Sequence, residues 1–270
     1  MVLADYHVHT HLSTDSEALP VAQVEAAIQA GLKYLCFTDH QDIDYPEIYD
    51  GPGQFLVNME QYQKELVPLV EAYKDRISIQ LGIELGLQPH LTKEVSAFAA
   101  SYPFAYIIGS THVTNHMDMY YPNYWEHFSV QQGIMGYFEE TLENIKRFDC
   151  FDCYGHLDYF IRYVPKGSTG YRAMDYRDIW DEILKTLIEK GKGIECNTAG
   201  FKYGLGHPNP HEDILRRYFE LGGEILTIGS DGHAPEHVAY DFGKLPELLK
   251  ACGARYYTIF KDRKPEFLPL

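Results

Sequence analysis

Short apolar, β-branched runs alternate with longer stretches of helical periodicity along the whole 270-residue chain. The first run, Leu3–Tyr6, is followed by PVAQVEAAIQAGL (Pro20–Leu32), with a Pro suited to a first helical turn and Gly31 as a stop. The unit then repeats. Strands are predicted at Lys33–Thr38, Ile77–Leu85, Ala105–Ser110, Cys153–His156, Ile194–Asn197, Glu224–Gly229 and Tyr256–Phe260. Helices are predicted at Gln54–Lys74, Thr92–Ser101, Gln131–Phe148, Asp175–Lys190, Pro210–Leu221 and Glu236–Ala251, with Pro68 expected to kink or divide the first of these. Strands joined through helices build a parallel sheet with right-handed crossovers. Seven units end in a polar residue at the strand tip and the last does not. The expected fold is α/β, a (β/α)7-type barrel formed by residues 1–270 as one domain.

Two connections depart from this rhythm. Val113–Val130 is long and carries Tyr120, Tyr121, Tyr124, Trp125 and Phe128, while Lys202–Pro210 is rich in Gly and Pro. Both follow strand ends on one rim of the expected barrel, so both are candidate lids or substrate walls.

The balance of 23 basic against 39 acidic residues gives a formal charge of −16. Such a surface repels nucleic-acid phosphates and anionic lipid, so neither is an expected partner. An anionic substrate needs local positive charge instead, which bound divalent cations supply. No apolar run is long enough to span a membrane, and Leu3–Tyr6 already reads as structure rather than as a leader. Of five cysteines, Cys36 and Cys196 fall in buried strands, and Cys150-x-x-Cys153 lacks the second pair of a zinc ribbon. A reduced, cytoplasmic protein is expected.

Nine residues of metal-ligand type sit where predicted strands end: His7, His9, Asp15, His40, Glu84, His112, His156, Asp231 and His233. In a parallel barrel such ends converge on one rim, where barrel enzymes place their chemistry. His7-x-His9 puts two imidazoles on one strand face, since strand residues alternate, and Asp231-x-His233 does the same if its turn stays extended. Glu84 can bridge two cations, and Asp5 is a candidate for holding an imidazole from behind. Nine ligands are too many for one zinc and enough for three ions with positions left for water and substrate. Mixed imidazole and carboxylate suits Zn, Mn or Fe(II). His11, His90, His116, His127, His207, His211 and His237 read as loop or surface residues. Arg162, six residues past His156, and Lys202, five past Asn197, are the candidate phosphate contacts, with a surface salt bridge as the other reading of Arg162.

The stretch DYHVHTHLSTDSE, followed in order by FTDH, GIELG, GSTH, GHLDY and GSDGH, resembles the polymerase-and-histidinol-phosphatase (PHP) superfamily. GHLDYFIRY and ECNTAGFK are most similar to its histidinol-phosphate phosphatase branch. The resemblance implies a distorted, TIM-like (β/α)7 barrel with a trinuclear site at the C-terminal rim. The first metal would take His7, His9, Glu84 and Asp231, the second Glu84, His112 and His156, the third Asp15, His40 and His233. Relatives often carry His at the position of Asp15 and Arg at that of Lys202. The implied reaction is hydrolysis of L-histidinol phosphate in histidine biosynthesis, with Asp231 or His233 handling protons. An acidic, aromatic wall would suit the cationic end of that small phosphorylated substrate; Asp42, Asp44, Glu47 and the Tyr-rich loop are candidates.

Two other readings stand beside it. One is another phosphoric monoester hydrolase of this fold, acting on nucleotides, sugar phosphates or phosphotyrosine. The other is a non-catalytic PHP module, disfavoured because all nine positions are filled. An amidohydrolase would want a bridging lysine where this chain has His112. Oligomeric state is left open by the sequence.

Overall fold

The computed structural model describes residues 1–46, 55–165 and 171–270. Seven parallel strands wind in one direction: β1 (Ala4–Val8), β2 (Tyr34–Phe37), β4 (Ser78–Gly86), β5 (Tyr106–Ser110), β8 (Cys153–Tyr154), β9 (Gly193–Asn197) and β10 (Leu226–Gly229). A two-residue strand, β3 (His40–Gln41), adds to β4 at its C-terminal end, with His40 opposite Glu84. The ring is closed where β10 runs out, by a parallel bridge between Val8 and Gly232. There His9 N–H donates to Gly232 O at 3.0 Å and Gly232 N–H to His7 O at 3.2 Å. The sevenfold barrel expected from the strand ends is the fold that forms.

Helices pack outside the barrel through stripes that the sequence spells out. α1 (Pro20–Gln29) and α2 (Met59–Tyr73) cover the first strands, and α2 runs unbroken through Pro68, so this proline does not divide it. α3 (Thr92–Ser101) and the short α4 (Pro122–His127) precede α5 (Val130–Arg147), which starts in a Ser129/Gln132 capping box. α6 (Arg177–Glu189) buries Trp180, Ile183, Leu184 and Leu187, an i, i+3, i+4, i+7 stripe. α7 (Ala199–Lys202) is a single turn after β9, and α8 (Glu212–Glu220) and α9 (Leu245–Cys252) complete the layer. No helix among the described residues is long and apolar enough to cross a membrane.

Three elements differ from the pattern reading. The helix expected from Glu236 begins only at Leu245, because Ala239 and Asp241 adopt left-handed backbone and the Asp5 carboxylate accepts Ala239 N–H at 2.9 Å. Tyr256–Lys261 (β11) is not a barrel strand. It pairs antiparallel with β12 (Lys264–Pro269) through a turn at Asp262-Arg263, both at positive φ. With the ring already closed, this hairpin covers its lower mouth: Tyr6 Oη donates to Phe260 O at 2.8 Å, and Arg263 N–H to Ala105 O at 2.9 Å. Finally, Val113–Val130 is not a plain loop but holds the small hairpin β6 (Val113–Thr114)/β7 (Met117–Asp118) and α4.

Candidate metal centre

Glu84 stands near the C-terminal end of β4, fully buried, and five imidazoles face its two oxygens. His7 Nε2, His9 Nε2 and His40 Nδ1 lie 3.1, 3.4 and 3.2 Å from Oε2, while His112 Nε2 and His156 Nε2 lie 3.2 and 3.0 Å from Oε1. Each arrives from a strand tip: β1 for His7 and His9, β3 for His40, β5 for His112 and β8 for His156. Asp231 follows β10 in left-handed backbone (φ 55), a conformation that Asp tolerates better than most residues. Its Oδ1 is 3.6 Å from His9 Nε2 and 3.8 Å from His7 Nε2. His233 Nε2 is 3.0 Å from Asp15 Oδ2, and His40 Nε2 is 3.6 Å from the same oxygen. All nine residues singled out in the sequence therefore meet in one cluster.

The donors fit metal ions. His9 Nε2 and His40 Nδ1 are buried with no hydrogen-bond partner, although both face a carboxylate oxygen, an arrangement suited to a cation between them. Candidate ligand atoms lie within 4.8 Å of one another in four overlapping groups: His7/His9/Glu84, His7/His156/Asp231, His40/Glu84/His112 and His9/His40/His233. Electrostatics divides the imidazoles. Burial, joined by the neighbouring imidazoles, holds His9 well below the usual histidine range, hence neutral. Burial would do the same to His7, but Glu195, Glu84 and Asp231 outweigh it and raise its pKa, so an ion bound there would displace its proton. Burial pulls Glu84 up, and His7, His112 and His40 together drive it well below the ordinary carboxylate range. Neutral imidazole and ionised carboxylate are the forms that ligate.

Most of the supporting contacts come from residues the sequence did not single out. Glu195, in the middle of β9, takes His7 Nδ1 at 2.6 Å and accepts His156 N–H at 3.0 Å. Asp5, the expected partner of an imidazole, instead accepts backbone N–H groups of Ser230 and Ala239, both at 2.9 Å. A lone acid inside the apolar run GIECN was the available signal for Glu195, since a buried carboxylate needs a partner. Gly229 makes the approach possible, because a β-carbon there would collide with Glu195 Oε1 and His7 Cβ. Asp42 holds His112 Nδ1 at 2.8 Å, and Ser13 links His9 Nδ1 (3.1 Å) to Asp39 (2.8 Å). Outer partners of this kind typically carry ten- to hundredfold of metal affinity. Glu195→Ala should therefore weaken divalent-metal binding by about that factor, read by competition with a chromogenic chelator. An unchanged affinity would remove Glu195 from this role.

The cluster floors a cavity of about 600 Å³. Arg162, its side chain only 3% exposed, lies in the wall, so it is not a surface salt bridge. It donates through Nη1 to Asp231 Oδ2 (2.9 Å), through Nε to Asn209 Oδ1 (2.9 Å) and through Nη2 to Asn197 Oδ1 (3.2 Å). Tyr159 and Tyr203 sandwich the guanidinium, their ring centres 5.3 and 5.0 Å from Cζ. Lys202 reaches the same wall, donating to Asp231 O at 3.2 Å. Tyr45, Tyr120, Tyr121 and Asp118 also line the cavity. Tyr124 is buried in packing, so the Tyr-rich segment is part wall and part core.

The acidic wall is differently composed from the expectation. Asp42 lines the cavity but is bonded to His112, Asp44 is exposed beside His90, and Glu47 lies outside the described residues. A further buried carboxylate in the wall is Asp118, accepting Tyr45 Oη and Tyr120 N–H, each at 2.7 Å. Burial raises its pKa to about 6. His237, read from the sequence as a surface residue, also lines the cavity. His11 pairs with Glu65, and His211 accepts Asp213 N–H at the start of α8.

Comparison with known proteins agrees with this geometry. The PHP domain family matches residues 5–199. The histidinol-phosphatase of Lactococcus lactis subsp. lactis is 31% identical over 264 residues, 96% of this chain and 95% of the relative. A crystal structure of histidinol phosphate phosphatase from that organism, complexed with zinc, L-histidinol and phosphate, superposes with a TM-score of 0.89 at 30% identity, covering 97% of this chain and 98% of the other. A Listeria monocytogenes structure shares the fold at TM-score 0.79 and 17% identity, over 89% of this chain and 99% of that one. The chain belongs to the PHP family and, within it, to the histidinol-phosphatases.

Proposed function

We propose that the protein is a metal-dependent phosphatase that hydrolyses L-histidinol phosphate to L-histidinol and phosphate, a step of histidine biosynthesis. The observation that carries this reading is the nine-residue cluster around Glu84, set in a cavity whose lining also includes the guanidinium of Arg162, the ammonium of Lys202 and the buried carboxylate of Asp118. A relative of matching fold that binds zinc, L-histidinol and phosphate supports it.

Three zinc ions are the proposed complement. His7, His9, Glu84 and Asp231 would hold the first, Glu84, His112 and His156 the second, Asp15, His40 and His233 the third. The overlap of the four donor groups supports shared ligands of this kind. Divalent ions there lower the pKa of bound water and neutralise phosphoryl charge. The chain's own residues do the remainder. Arg162 has N–H groups beyond the three already engaged, and its planar fork matches two phosphate oxygens. Lys202 adds a point charge where the overall −16 would repel the substrate. Asp231 and His233 border the same space, and one of them would take and return the proton.

Asp118 and its tyrosines would receive the cationic end. With a pKa near 6, this carboxyl is ionised above that pH and neutral below it. The substrate's ammonium stays cationic throughout, so KM should rise as pH falls through about 6. A hydrogen bond to a charged group is worth about 1.5–3 kcal/mol. Asp118→Asn should therefore raise KM roughly ten- to hundredfold with a much smaller change in kcat, and flatten the pH dependence. The deciding experiment is a turnover screen of metal-loaded protein with histidinol phosphate beside nucleotides, sugar phosphates and phosphotyrosine. Preference for any of those three would overturn the substrate assignment, and an Asp118→Asn KM equal to wild type would overturn the wall.

A further inference from the structure

A second group of metal-ligand residues lies on the same rim but outside the cavity. Asp44 comes from the loop after β3, His90 from a single turn after β4, and His116 from the tip of the β6/β7 hairpin. Their candidate ligand atoms lie within 4.8 Å of one another, and all three residues are exposed. His90 Nε2 is 2.8 Å from Asp44 Oδ2, and the rings of His90 and His116 are centred 5.2 Å apart. None of the three belongs to the cluster around Glu84.

We propose that Asp44, His90 and His116 bind an additional divalent transition-metal ion, of the zinc, nickel or copper kind, on the outer side of the barrel rim. Two imidazoles and one carboxylate form a borderline donor set that favours such ions over magnesium or calcium, which want a shell of oxygens. Ligands about 2.0–2.2 Å from a tetrahedral ion are roughly 3.3–3.6 Å apart, so the spacing here needs only side-chain rotation, with water completing the shell. Three separate chain segments supply the donors, which an incidental pair of neighbours in sequence would not require. Glu140, half-buried on α5, adds negative charge close by, its Oε2 accepting Asn115 N–H at 2.8 Å.

The position matters to the cavity. Asp44 is followed by Tyr45, and His116 stands two residues before Asp118, while Tyr45 Oη donates to Asp118 Oδ2 inside the cavity at 2.7 Å. An ion on the outside therefore braces the same two segments that this bond joins on the inside. The proposal is independent of the substrate assignment, because an ion count does not depend on what the enzyme hydrolyses.

The test is equilibrium dialysis of the metal-loaded protein against a series of free zinc concentrations, with metal content measured per chain. Wild type should take up one ion more than His90→Ala and one more than His116→Ala, and both variants should retain turnover, which checks their folding. Equal stoichiometry in all three proteins would overturn the site. So would the same one-ion deficit in His127→Ala, a histidine on α4 outside the group. If His116→Ala loses its turnover, His116→Asn at the same turn position, where left-handed backbone favours Asn, serves as the second variant.

Discussion

Glu84→Gln is expected to abolish most activity, lowering kcat/KM on histidinol phosphate at least a thousandfold, or about 4 kcal/mol. Five imidazoles face this one carboxylate, and the substitution turns one of its acceptor oxygens into a donor amide while removing the charge that balances His7, His40 and His112. Because Glu84 belongs to two of the proposed metal sites, metal content should fall by more than one ion. Metal analysis and turnover on the same preparation read both effects. Wild-type turnover with full metal content in this variant would show that Glu84 is not the bridge.

Arg162→Ala is expected to lower kcat/KM roughly a hundredfold, the 2–3 kcal/mol typical of a charge-assisted contact. Part of that loss would arrive through Asp231, whose Oδ2 the guanidinium holds at 2.9 Å. Arg162→Lys should recover only a fraction, since a single ammonium cannot reach Asp231, Asn197 and Asn209 together as the fork does. An unchanged kcat/KM in Arg162→Ala would transfer phosphate recognition to Lys202.

The legible parts of this protein were those with a local signature. His7, His9, Glu84 and Asp231 follow apolar runs, so strand ends and candidate ligands could be read together, and the count of such ends gave sevenfold closure over eightfold. What escaped depends on contacts distant in sequence. Glu195 looks like an interruption of a strand until His7 arrives 188 residues earlier in the chain. Asp118 is an ordinary loop acid until Tyr45 and a small hairpin bury it. The 236–251 segment has helical periodicity, yet a tertiary hydrogen bond from Ala239 N–H to Asp5 holds its first part in turns. β12 carries Pro265 and Pro269, which read as breakers and are tolerated because the strand has only one partner.

The bridge between Val8 and Gly232 has a consequence for how the molecule is made. It joins the two extremes of the chain: the bond from Ser230 N–H to Asp5 spans 225 residues. Contacts so distant in sequence form late, after the intervening units have collapsed, and such topologies fold slowly. His7 and His9 leave a ribosome long before Asp231 and His233 exist, so a partly synthesised chain cannot assemble the full donor set. Once ions are held between the first and seventh strands, opening the barrel at its seam requires their release. Metal loading should thus act as a clasp on the finished chain, slowing unfolding more than it speeds folding.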